Sequence, residues 1–406
     1  MNHILQLGLT LLILSSCKED NSPELVLPSG GIEELSAKSV SKSNKMPVYL
    51  HYMPWFEAPG DFSEGWGIHW KMSTKDPNVI GDDDKRQIAS HYYPLIGPYD
   101  SRDPDVINYH MLLMKYAGVD GVLINWYGVE GTNSDIHSLL ESSNAIIDHT
   151  ESTGMEFAVV MEDRFAESKE DTKINVTYLN SNYYNHKQYI EFDNRPLTLL
   201  FGPITFQAST TWTEILGASS ANELFLPLWY NTGKVGEENA AGEYAWVYRD
   251  GVSGLTNFYN STTALEIRGG GAYPGFNDYY VEGGWGDQIG WELEVSAQTL
   301  EETLDLATQN SDKLDFLQLI TWNDFGEGTC IEPTLEFEFQ FLEKIQKYTG
   351  VAYGVEELQL IYDWYLLSKN PAYSSDKEAL DDLKQAFYYL VALKVDEAEK
   401  LISNYK

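Results

Sequence analysis

What most restricts this chain is an alternation that begins at Met46, in which short, apolar, β-rich segments are separated by stretches of helical period. The candidate strands are Pro47–His51, Gly121–Asn125, Glu156–Met161, Leu197–Phe201, Leu224–Leu228, Tyr244–Val247 and Phe316–Thr321. Between them lie the helix-like runs Pro104–Ala117, Ser134–Thr153, Thr210–Leu216 and Ser296–Asn310. In the second of these, Ile136, Leu139, Leu140, Ala145 and Ile146 recur at the spacing that lines up one helix face. Gly118 and Gly154 stand where a left-handed C-cap belongs. Parallel strands cannot be joined by a tight turn and need a crossover, so this alternation predicts a parallel α/β sheet. Its length predicts a (β/α)8 TIM-type barrel, with the eighth strand inside residues 253–280, where Gly269-Gly270-Gly271 reads as a loop.

The barrel is expected over residues 46–350, followed by a C-terminal extension, 351–406, that reads as a helical hairpin of Val355–Leu367 and Asp376–Ile402. At the other end, Ile4–Leu14 is almost wholly apolar and runs into Leu14-Ser15-Ser16-Cys17. That run is short for a bilayer span but suits the core of a signal peptide. Residues 1–16 are therefore expected to be a lipoprotein signal peptide, with Cys17 acylated after cleavage, and 17–45 a flexible tether rich in Ser, Lys, Glu and Pro. Lys18-Glu19-Asp20 resembles the signal that sends bacterial lipoproteins to the cell surface. The expected location is the outer membrane, facing outward or, alternatively, the periplasm, with the lipid as the only membrane contact.

Sixty-two acidic and 27 basic side chains give a net charge of −35, and such a surface repels the phosphates of nucleic acid. An apolar content of 43% excludes a disordered acidic chain. A neutral polysaccharide or oligosaccharide suits this protein better as partner. No metal or cofactor is implied: the histidines form no H-E-x-x-H pattern, Gly81–Lys85 lacks the spaced ligands of a calcium loop, and Cys330 has no partner once Cys17 carries lipid.

In a parallel barrel the chemistry gathers where strands end. After the first candidate strand come Tyr52, Trp55, Trp66, His69 and Trp70, whose aromatic faces can stack on sugar rings or simply pack a loop. After the second come Asn125, Trp126 and Tyr127, and after the third Glu162-Asp163-Arg164, either a hydroxyl-binding carboxylate or a structural ion pair. Thr321-Trp322-Asn323-Asp324-Phe325-Gly326-Glu327 follows the last strand. Its two carboxylates, three residues apart beside Trp322 and Asn323, suit glycosidic bond cleavage, in which one acid protonates the departing oxygen while another assists. An acidic turn capping the next element is the structural alternative. Arg102, Arg164 and Arg268 are the candidates for local basic pockets, and Gly283-Gly284-Trp285-Gly286 for a cleft wall or a plain turn.

Tyr52–Trp55, Ile88–Asp103, Tyr116–Gly128, Arg195-Pro196 and Asn323–Pro333 together resemble glycoside hydrolase family 99, the endo-α-mannosidases and endo-α-mannanases. The resemblance implies a (β/α)8 barrel and a catalytic motif N-E-x-x-E-G-T. Glu327 matches its second glutamate, the general acid/base, and Glu162 its substrate-binding glutamate. Asp324 stands at the first catalytic position, one methylene short, which withdraws the carboxylate by about 1.5 Å. In the family that group takes the proton of the sugar 2-hydroxyl. Trp322-Asn323-Asp324-Phe325-Gly326-Glu327 instead looks like family 71, the inverting α-1,3-glucanases. The implied function is endo-acting hydrolysis of an α-mannan or related α-glycan. The alternatives are a family 71-type α-1,3-glucanase and a surface glycan-binding lipoprotein without catalysis.

Overall fold

The computed structural model describes residues 31–261, 263–286 and 289–406. The expected signal peptide, 1–16, and the expected lipidation site, Cys17, lie outside the described residues. Among the described residues eight strands run parallel: β1 (Val48–Tyr52), β2 (Gly121–Trp126), β3 (Glu156–Met161), β4 (Arg195–Leu200), β5 (Leu224–Pro227), β6 (Gly242–Tyr244), β7 (Ile267–Ala272) and β8 (Phe316–Leu319). They pair in order from β1 to β5 and from β6 to β8, and β8 pairs with β1. A parallel bridge between Leu228 and Tyr244 completes the ring. The (β/α)8 barrel is thus formed. Glu191–Phe192 is a short antiparallel strand against β4.

The strands are buried almost throughout because helices cover the ring, which is why they read as apolar runs. The covering helices are α1 (Pro104–Tyr116), α2 (Ile136–Thr153), α3 (Lys169–Asn182), α4 (Ser209–Leu216), α5 (Gly251–Tyr259), α6 (Ala297–Gln309) and α7 (Gln340–Thr349). Asp103 caps α1 with Pro104 at its first position, and Gly118 (φ +76°) and Gly154 (φ +72°) take the left-handed conformation after α1 and α2.

Four expectations are corrected. The glycine triplet lies within β7, not a loop, because a Cβ on Gly269 would meet the Phe316 ring at 2.5 Å. The sixth strand ends at Tyr244 rather than beginning there, and the chain from Ala245 leads into the cleft. The C-terminal hairpin is three helices, α8 (Val355–Ser368), α9 (Lys377–Val391) and α10 (Val395–Ser403), because Leu393 adopts φ +61° and ends α9. They pack on α1, where the Tyr109 and Tyr365 rings lie 4.9 Å apart and the Tyr116 hydroxyl donates to the Leu390 carbonyl. Finally, residues 33–44 are no tether. Glu33 exchanges two hydrogen bonds with the Gln385 amide, the Lys38 N–H donates to the Val391 carbonyl, and Lys42 pairs with Asp120 below the barrel.

Candidate active site

Loops at the C-terminal ends of the strands enclose a cleft of about 490 Å³. Trp55 and His69 follow β1, and their rings stack at 4.2 Å, 8° from parallel. The His69 Nε2 stands 3.3 Å from Asp135, which immediately precedes α2. Tyr127 follows β2 and rests on Phe165. Phe201 and Trp246 come from the ends of β4 and β6, and Tyr280 and Trp285 from the loop after β7.

Besides Asp135, three further carboxylates enter this space. Glu162 extends from the end of β3; the Asn125 amide donates to its Oε1 at 2.9 Å, and Arg164 Nε lies 3.4 Å from its Oε2. Asp324 and Glu327 share the loop after β8. The Glu327 N–H donates to Asp324 Oδ1 at 3.0 Å, and the Thr321 hydroxyl accepts from the Asp324 N–H at 2.8 Å. The Tyr280 hydroxyl donates to Glu327 Oε1 at 2.9 Å. The Asn277 and Tyr279 N–H groups donate to the Glu327 and Gly326 carbonyls, tying the β7 loop to the β8 loop. Gly328 (φ +66°) makes that approach possible, since a Cβ there would lie 2.6 Å from the Asn277 carbonyl oxygen.

Burial, then the charge of Glu327, raises Asp324 well above the usual carboxylate range, although the N–H groups of Glu327 and Gly326 favour its charge. Burial also raises Glu327, against the Tyr280 hydrogen bond. Two like groups this close cannot both ionise easily, so the pair keeps a proton beyond the pH at which a free carboxyl loses it. One member is then able to donate while the other accepts.

Burial pushes Glu162 up from 4.5 to about 7, over the opposing pull of Arg164 and Asn125. Between those two values the folded protein holds a proton that the unfolded chain has lost. Stability therefore falls as pH rises through that window, by up to roughly 3 kcal/mol. Urea unfolding of Glu162→Gln is expected to lack this part of the decline from pH 5 to pH 7.5; a slope equal to wild type would show that Glu162 is not the group responsible.

Of the expected site residues, Trp55, His69, Asn125, Tyr127, Glu162, Asp324 and Glu327 line the cleft. Five do not. Tyr52 points outward and bonds His110 Nδ1 at 2.8 Å; Trp126 also points outward, its ring near Tyr178 and Tyr183 of and beside α3. Trp70 is 1% exposed and donates to the Tyr99 carbonyl. Trp322 and Asn323, at the start of the loop that carries Asp324 and Glu327, are fully buried. Arg102 is engaged by Asp100, Glu57 and Glu141, and Arg268 lies at the start of β7, so Arg164 is the basic side chain that the cleft receives. The sequence reading missed Asp135, Phe165, Phe201, Trp246 and Tyr280; only the position of Trp246 just past a strand carried a signal. Among the described residues no three His, Cys, Asp or Glu side chains are arranged to hold a metal ion.

The family model for glycosyl hydrolase family 99 matches residues 44–264, more than half of the chain. The chain belongs to this family. Family 99 membership makes it a glycoside hydrolase, an enzyme acting on O-glycosyl bonds. The match ends before β7, so the Asp324–Glu327 loop lies beyond it. A human glycoprotein endo-α-1,2-mannosidase-like protein is 22% identical over 323 residues, 71% of this chain and 68% of its own. The mouse glycoprotein endo-α-1,2-mannosidase is 22% identical over 349 residues, 76% of this chain and 74% of its own. The family 99 fold is shared with the GH99 endo-α-mannosidase of Bacteroides thetaiotaomicron (TM-score 0.59, 18% identity), over 78% of this chain and 98% of that one.

Proposed function

We propose that this family 99 chain is an endo-acting hydrolase of an α-mannan or a related α-glycan, working by paired-carboxylate acid/base catalysis. The observation that carries this reading is the Asp324–Glu327 pair, bonded through one N–H in an aromatic-walled cleft, with both carboxyls raised. Glu327 is the general acid/base, its carboxyl supplying the proton to the departing oxygen. Asp324 is the second carboxylate and activates the sugar 2-hydroxyl or a water. Trp55, His69 and Tyr127 offer ring surfaces to the sugar, while Asn125 and Glu162 offer a coupled donor and acceptor for its hydroxyls. The names of the mammalian relatives and of the bacterial structure support an α-mannoside. Lipidation of Cys17 and display at the bacterial cell surface belong to the proposal on the strength of the N-terminal sequence.

One observation favours a second reading. Asp324 in place of the family's glutamate matches the family 71-like pattern and points to an α-1,3-glucan cleaved with inversion. A panel of α-mannans of different linkage, α-1,3-glucan and α-1,4-glucan, assayed for new reducing ends, separates the two. Release from an α-mannan is the expected result, and release from α-1,3-glucan alone favours the second reading. Silence across the panel with glycan retained on an affinity gel would overturn both in favour of a non-catalytic glycan-binding lipoprotein.

A further inference from the structure

We propose that Tyr99 and Asn323, oriented by Glu332, are positioning residues that set where Asp324 stands in the cleft; this rests on the hydrolytic reading of the Asp324–Glu327 pair. Asn323 immediately precedes Asp324 and is fully buried. Its Oδ1 accepts from the Met53 N–H at 2.8 Å, and its Nδ2 donates to the Met53 carbonyl and to the Tyr99 hydroxyl, each at 3.0 Å. The Tyr99 hydroxyl has one proton, and that proton goes to Glu332 Oε2 at 2.6 Å. Its oxygen is therefore left to accept from Asn323, which fixes the orientation of the amide: reversing Asn323 would set oxygen against oxygen and N–H against N–H. Glu332 is 1% exposed; its Oε1 lies 3.3 Å from His110 Nε2, and the other ring nitrogen meets the Tyr52 hydroxyl.

This arrangement joins the two ends of the catalytic loop. Asn323 anchors its start to the residue after β1, Glu332 closes its end, and the Glu332 N–H donates to the Trp322 carbonyl at 2.8 Å. A buried carboxylate costs several kcal/mol to remove from water, so apolar packing would be the cheaper way to build a barrel wall. The polar chain gains a fixed backbone height under Asp324. That height matters here because Asp324 is the shorter carboxylate, and a misplacement of about 1 Å at a reacting group can cost on the order of 100-fold in rate.

The test compares Tyr99→Phe, Asn323→Ser and the double variant on the glycan cleaved by wild type. Each single variant is expected to lower kcat by about tenfold or more with KM within about twofold, and the double variant to be no worse than the poorer single one, because both break one chain. A crystal structure of Tyr99→Phe is expected to show the Asp324 carboxylate displaced by about 0.5 Å or more. This second readout needs no turnover and therefore stands even if wild type cleaves no glycan in the panel. Unchanged kcat with Asp324 unmoved would overturn the proposal, as would losses that multiply in the double variant or that appear as raised KM.

Discussion

Glu327→Gln is expected to lower glycan turnover by about 10²–10⁴-fold, the range that a positioned general acid/base supplies, and to leave the fold intact. The amide has the shape of the carboxyl, and its oxygen can still accept the Tyr280 hydroxyl that now reaches Oε1. The backbone bonds at this position, from the Glu327 N–H to Asp324 and from Asn277 to the Glu327 carbonyl, do not involve the side chain that changes. What the variant lacks is an acid able to release a proton to the departing oxygen. Reducing-end release, measured beside circular dichroism and thermal unfolding, checks both halves. A rate equal to wild type in a folded variant removes Glu327 from the acid role. Asp324 supplies a second signature: its carboxyl is raised in part by the Glu327 charge, so in Glu327→Gln it should titrate lower.

Asp324→Asn is expected to have the second large effect, a fall in kcat of about 10²–10⁴-fold with KM little changed, because an amide accepts no proton from a hydroxyl or a water. One oxygen of Asp324 is held by the Glu327 N–H, which leaves the other for the substrate. The identity of that substrate group sets the stereochemistry. If Asp324 draws the proton from the sugar 2-hydroxyl, as the family 99 resemblance implies, the freshly released anomer is α. If it activates water for direct attack, the product is β. Proton NMR of the product within the first minutes, before mutarotation, distinguishes them with the wild-type enzyme. A kcat for Asp324→Asn within about threefold of wild type would leave Glu327 without its partner and shift attention to Glu162 and Asp135, the other carboxylates that line the cleft.

Both variants act on residues that were legible in the chain. Asp324 and Glu327 stand just past an apolar strand, and their spacing on a glycine-bearing loop is local information. Asn125 and Glu162 were legible for the same reason. Tyr280 was not, because it lies 47 positions from Glu327 and reaches it only when the β7 and β8 loops are tied together. Nor did the density of aromatics after β1 and β2 reveal their division of labour. Trp55 faces the cleft while Tyr52 and Trp70 hold its frame, and Tyr127 faces the cleft while Trp126 lies against α3 and the residues after it.

The sequence by itself determined the barrel and the loops that would carry the chemistry. Strand and helix period are properties of neighbouring residues, and parallel strands at this spacing leave few ways to close a sheet. It also placed the two carboxylates on the last of those loops. Which face each side chain took was decided by the tertiary structure. Successive residues of a strand point to opposite sides, so Asn125 and Tyr127 meet the cleft while Trp126 between them meets the helical layer. The raised carboxyls, the hydroxyl of Tyr280 on Glu327 and the buried chain from Asn323 through Tyr99 to Glu332 likewise exist only once distant segments share one enclosed space, where water no longer competes for their charges and hydrogen bonds.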